Sequence, residues 1–234
     1  MCIRVLVVLT LTTVLGFTAP GAHAWEAPWS GFDFLADQRW SQINNRLANQ
    51  RLEILNESIS DQAGQSGAVS RNVLDLGESA STDLAPLRPY LAENQLTEEQ
   101  AAKILAMYAG VAGQLDVPAN DSASGIAAFL AGSYAAYTNE PFPDAYFKPL
   151  YEQFAETLTS DDELESKPLA ERTEYYQWLV INGMIFQLLQ LELQNSPQTD
   201  EITAMRKAAE SAFESIAGIS PDNIRFTADG LVPR

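Results

Sequence analysis

Cysteine and histidine are almost missing from this chain: one of each occurs in 234 residues, as Cys2 and His23. Both stand in a segment with the marks of an export signal. Arg4 gives a short positive start, Val5 to Phe17 is an apolar run, Pro20 and Gly21 break it, and Ala22-His23-Ala24 is an A-x-A cleavage motif. The pattern predicts cleavage after Ala24. Subtracting 24 residues from 234 leaves 210, a length suited to one domain. That remainder holds no Cys and no His. Disulfides, thiol nucleophiles, imidazole bases, Ser-His-Asp triads and zinc sites built on either residue are thereby excluded. An exported chain without disulfides fits a bacterial location, periplasmic or secreted, better than an animal exterior.

Basic residues are scarce too. Lys and Arg number 14 against 31 Asp and Glu, a net charge of −17. Losing Arg4 with the signal leaves 13 against 31, or −18. Such a surface repels phosphate backbones and anionic headgroups, so neither nucleic acid nor membrane-surface binding is expected. It suits a basic protein partner. The acids are dispersed except at Asp161, Asp162, Glu163 and Glu165, which read as a solvated loop. Phosphate-binding G-x-x-x-x-G-K-[ST] and G-x-G-x-x-G motifs, a D-x-D-x-D-G calcium loop and the S-x-x-K spacing are all absent. No cofactor and no metal is expected.

What the chain does have is helical periodicity. Between Glu174 and Glu192 there is no charge, and Tyr175, Trp178, Leu179, Ile181, Ile185, Phe186, Leu188, Leu189 and Leu193 leave no wide polar face. A helix apolar nearly all round is a buried one. Pro168 starts it. Gly183, Gln187, Gln190 and Gln194 share one narrow stripe, and Asn182 lies among the large apolar residues. Two readings are open for Asn182 and the stripe. They line a ligand cavity, or they bond neighbouring helices while Gly183 permits close approach. The flanking Glu residues and the amides argue against a membrane span.

A second uncharged stretch, Ser122 to Asn139, mixes small Gly125, Ala128, Gly132 and Ala135 with large Ile126, Phe129, Leu130 and Tyr137. It predicts a second buried helix pressed against the first, capped by Asn120 or Asp121. Thr97 and Gln100 form a capping box for a helix carrying Ile104, Leu105, Tyr108 and Leu115. Another helix begins near Lys148 and holds Leu150, Phe154 and Leu158, and one more follows Ser196-Pro197 with Met205, Ala209, Phe213 and Ile216 inward. Toward the N-terminus, Trp25, Trp29, Phe32 and Phe34 dock on the core or face a partner, and a polar helix spans about 33–60. Residues 65–95 predict short turns: a helical piece closed by Gly77, then broken or 3-10 structure where Pro89 does not fit a first turn. In the tail, Ile224 and Phe226 alternate with polar residues, which suits a short strand or a docked arm.

The expected fold is therefore all-α: a single-domain helical bundle of five to seven helices around a buried central helix. The expected organisation is a signal peptide at 1–24, an aromatic segment with polar helices at 25–96, a helical core at 97–218 and an extended C-terminal tail at 219–234.

Without His or Cys, catalysis would fall to carboxylates, as in glycoside cleavage. Asp121, Asp144, Glu152, Glu156, Glu174 and Glu192 lie near buried segments, but no pair among them stands out. Tyr134, Tyr137, Phe142, Tyr146, Phe147 and Tyr151 crowd around a turn held by Pro141 and Pro143. Rings with hydroxyl groups make recognition surfaces, and the same density also suits an aromatic hinge between two helices. Tyr134, Tyr137, Phe142, Tyr146, Tyr151 and Asn182 are the candidate binding residues. The run PANDSASGIAAFLAGSYAAYTNEPFPDAYFKPLYEQFAETL, followed by RTEYYQWLVINGMIFQLLQLE, resembles an uncharacterised family of secreted bacterial proteins, a domain of unknown function. The likeness covers about residues 95–218 and implies no activity. The expected function is that of an exported, non-catalytic interaction protein that binds or inhibits a basic partner. The alternative is a carboxylate-dependent hydrolase of cell-wall glycan or peptide. Mass spectrometry of exported protein should give an N-terminus at Trp25; intact Met1 in the cytoplasm would refute the export reading.

Overall fold

In the computed structural model, the described residues are 74–234 except 95, 160–163, 165, 196 and 198. The polar helix and aromatic segment expected before residue 74 lie outside them. Among the described residues the fold is all-α apart from one small hairpin. Its helices are α1 (Arg88–Glu93), α2 (Glu98–Gln114), α3 (Ser122–Thr138), α4 (Phe147–Thr159), α5 (Leu169–Asn195) and α6 (Thr199–Ala217). Two strands follow, β1 (Ile224–Thr227) and β2 (Gly230–Pro233), paired antiparallel with Phe226 opposite Leu231. No helix among the described residues is long and apolar enough to cross a membrane.

The helix starts follow local chemistry. Thr97 accepts from the Gln100 amide at 3.1 Å, and the Gln100 side chain accepts from the Thr97 amide at 2.9 Å. This reciprocal cap satisfies two donors that α2 would otherwise leave bare. Asp121 caps α3, its Oδ1 accepting from Ala123 at 2.8 Å and Ser124 at 3.2 Å. The other end of α3 stops at Asn139, which takes the left-handed conformation at φ 56°. Asn tolerates that region better than most residues.

Helix α3 lies against α5 with main chain almost touching main chain. A Cβ on Gly183 would stand 2.5 Å from the Ala128 carbonyl oxygen, and one on Gly132 would overlap the Gly183 carbonyl. Beside this crossing Trp178 stacks on Phe129 at 5.2 Å, and Phe186 meets Phe129 edge-on at 6.3 Å. Every residue of α5 from Tyr175 to Met184 is buried. Beyond that the helix becomes one-sided: Ile185, Leu188 and Leu189 are only half-buried. The uncharged run therefore marks a helix enclosed over its first half and amphipathic over its second.

Two local expectations fail before residue 95. The helical piece expected to close at Gly77 is not helical over Leu74–Leu76. Asp75 forms an antiparallel bridge with Asp121, Ser122 donates to the Leu74 carbonyl and Leu76 donates to that of Asn120. Cross-chain pairing outcompetes the local pattern there. Pro89 is the second case. Helix α1 starts at Arg88, so Pro89 falls in its first turn, where its missing N–H costs nothing.

Gly183→Ala should be strongly destabilising, because the obstructing atoms are main chain and cannot rotate away. Overpacking costs about 1–3 kcal/mol, and rigid obstacles set the upper end. Urea unfolding checks this, with Gly113→Ala, at a helix position with nothing within 4 Å, as the control that should not lose stability.

Candidate functional site

The crowded tyrosines and phenylalanines do not form one patch. Tyr134, on α3, meets Phe142 edge-on at 6.4 Å, and both meet Phe226 of β1 at 4.8 Å. Phe213 of α6 closes the group, 6.2 Å from Tyr134 and 6.5 Å from Phe226. All these contacts except the tilted Tyr134–Phe213 pair are steep edge-to-face contacts, the arrangement that ring quadrupoles favour. Tyr137 is placed one turn further along α3, and its hydroxyl donates to Asp222 Oδ1 at 2.8 Å. Tyr151 lies on another side, near enough to the buried Tyr108 to act on it electrostatically. Tyr146 is half-buried against the core.

The hairpin is fastened to this nest through its main chain. Leu231 N–H donates to Gln153 Oε1 at 2.8 Å, and Gln153 Nε2 donates to the Leu231 carbonyl at 3.0 Å. One side-chain amide of α4 thus stands in for a neighbouring strand. The fit requires glycine next to Leu231. Gly230 has φ 94°, and a Cβ there would meet Gln153 Oε1 at 2.6 Å. Arg206 of α6 fixes the neighbouring end of α3 by donating to the Tyr137 carbonyl at 2.9 Å and the Thr138 carbonyl at 3.3 Å. A cation suits a helix C-terminus, where the last carbonyls lack partners.

Asn182 is far from the nest in role and setting. It is buried; its Oδ1 accepts from the Tyr90 hydroxyl at 2.8 Å and its Nδ2 donates to the Trp178 carbonyl at 2.8 Å. Burial raises the Tyr90 hydroxyl well above its ordinary pKa, so it stays a donor. On the Gln stripe, Gln194 donates to the Asn139 carbonyl at 3.0 Å, and Gln190 is buried with an Nε2 that has no partner among the described residues.

A separate depression lies where α3 begins, α4 ends and α5 begins. Ser122, Leu158, Leu164, Arg172 and Tyr175 help line it, no carboxylate among the described residues does, and it has room for about one water molecule. Glu174 sits nearby on α5, its carboxyl pushed up by burial and by Glu171.

The residues that complete the nest, Phe213, Phe226, Gln153 and Asp222, were not among the candidates. Two had signals: Phe213 by its inward spacing on α6 and Phe226 by its alternation with Ile224. Gln153 and Asp222 had none, since their partners are remote in sequence. A family model described as a family of unknown function (DUF6683) matches residues 87–234, a span that includes both the nest and the hairpin. Neither the curated proteins nor the solved structures give a match.

The Tyr137–Asp222 bond sets a pH signature. Donation to Asp222 is the main cause that raises the Tyr137 hydroxyl from 10.0 to about 12, with burial second. A pKa raised on folding means that the bond's stability is complete below pH 10 and is lost as pH climbs towards 12. Wild type should lose more stability than Tyr137→Phe across that window. Melts at pH 9 and about 11.5 check it, and equal losses would refute it.

Proposed function

The chain belongs to the DUF6683 family, a family of unknown function, and we propose that it is an exported, non-catalytic helical interaction protein whose partner is basic. The excess of acid carries this reading. The chain holds 31 acidic residues against 14 basic ones. Among the described residues, Glu98, Glu99 and Asp116 are taken up by ion pairs with Arg88, Lys103 and Lys148. Among the described residues, Glu152, Glu156 and Glu214 stand exposed outside these three pairs. A surface charged this way steers a basic partner towards it and repels acidic ones.

The carboxylate-hydrolase reading asks for two acids converging on a cleft wide enough for a sugar or peptide. Among the described residues, the depression beside Ser122 offers neither the acids nor the room. Glu152 and Glu156 lie one turn apart on the exposed face of α4, an ordinary arrangement for a solvated helix.

Electrostatic recognition has a salt signature. Raising ionic strength from about 0.01 M to about 1 M shortens the screening length from roughly 30 Å to roughly 3 Å. The immobilised protein should capture basic proteins from a periplasmic extract in the first condition and release them in the second. Capture that ignores salt, or that selects acidic proteins, would overturn the reading.

A further inference from the structure

Phe226 fills its nest the way an anchor residue fills a pocket. Its ring enters between Tyr134 and Phe142 at 4.8 Å from each, with Phe213 behind at 6.5 Å. Those three rings come from α3, the α3–α4 connection and α6, so the pocket belongs to the bundle while the anchor belongs to the hairpin. Beside the anchor, Gln153 takes both main-chain groups of Leu231. Main-chain bonds along an extended segment, with a side-chain pocket next to them, are how proteins bind peptides in the strand conformation. The hairpin meets both requirements from within the same chain.

Exposed acids flank the pocket residues along the chain, with Arg206, held at the Tyr137 and Thr138 carbonyls, as a cation at the same end of α3. Glu152 precedes Gln153 on α4, Glu156 follows one turn later, and both are exposed. Glu140, also exposed, lies between α3 and Phe142. The hairpin does little to match these charges. It carries Arg225 and Arg234, but also Asp222 and, at the exposed turn beside Gly230, Asp229. With the hairpin lifted, the bundle would present an aromatic pocket whose exposed chain neighbours Glu140, Glu152 and Glu156 outnumber the nearby Arg206.

We propose that the pocket of Tyr134, Phe142 and Phe213, with Gln153 beside it, is a binding site for an extended, basic, aromatic-bearing segment of a partner protein, which the chain's own β1–β2 hairpin fills as an internal plug. The partner's charge rests on the reading given under Proposed function; the plug rests on the ring and main-chain contacts alone. A plug tied to α6 through Gly218, Ile219 and Ser220 competes at an effective concentration of about millimolar. A partner segment overcomes it by the charge match that the hairpin lacks.

The full chain tests this with two fluorescent peptides as probes. One has the sequence of residues 219–234; the other is the same with Ala228→Lys and Asp229→Lys, both at exposed turn positions. Phe226→Leu weakens the plug while keeping an apolar side chain in the nest. This variant should bind the native-sequence peptide at least about tenfold more tightly than wild type does. It should bind the basic peptide more tightly still, with that advantage lost at high salt. Adding Gln153→Leu should abolish the gain. Circular dichroism and melting report whether Phe226→Leu folds. If it does not, Asp222→Asn, which loosens only the exposed tether to Tyr137, carries the same comparison.

Equal peptide binding by wild type and the folded variant overturns the plug, even where basic proteins are still captured in a salt-sensitive way. Peptide uptake with no preference for the basic version overturns the partner's chemistry. The two readings therefore fail separately.

Discussion

The crossing of α3 on α5 turns on two hydrogen atoms, the side chains of Gly132 and Gly183. Any carbon in their place would strike main chain of the opposite helix. The close approach they allow brings Phe129 onto Trp178, and Trp178 in turn meets Tyr90 edge-on at 6.4 Å and lies parallel to Tyr175. Tyr90 then reaches Asn182, one residue before Gly183. A single geometric condition thus sets the position of α1 relative to α5 and of both relative to α3. Residues before α1 are tied to the same helix, since Gln177 donates to the carbonyls of Ala80 at 2.9 Å and Asp83 at 2.7 Å.

The buried amides of α5 act in two ways. Asn182 bonds through both its oxygen and its nitrogen, and Gln177 uses its nitrogen twice, so each fixes a neighbour at one register. Losing such a partner strands a buried polar group at about 1–3 kcal/mol, which penalises alternative alignments of the helix. Gln177 Oε1, Gln190 Nε2 and Ser122 Oγ have no hydrogen-bond partner among the described residues, and they mark where the packing carries polar cost.

Features read from short spans of sequence survive best in the fold. Thr97 and Gln100 cap as their spacing says, and Asp121 caps α3. The small residues of 122–139 mark a helix pressed on its neighbour, since close approach demands them wherever the partner lies. Gly77 was harder because its meaning depends on the pairing of Leu74–Leu76 with Asn120–Ser122, and Pro89 because its meaning depends on α1 starting at Arg88. For the candidate site, the density of rings at 134–151 was visible, but its division was not. Tyr134 and Phe142 join residues 79 or more positions away, and Tyr151 acts electrostatically on Tyr108 of α2. Nothing local distinguishes Gln153 from any other half-exposed glutamine; only the strand edge that it meets gives it a role.

The position of Phe226 and Leu231 in the chain has a kinetic consequence. Helices α3 and α5 are complete by Asn195, so their crossing is available before the hairpin exists as a segment that can dock. Until residues 224–233 dock, Tyr134, Phe142 and Phe213 would stay wet on an assembled α3–α6. Partly assembled states with exposed apolar surface are the ones that associate wrongly or recruit chaperones. Arrival of residues 224–233 ends that stage in one local event, a turn of two residues closing on a glutamine already in place.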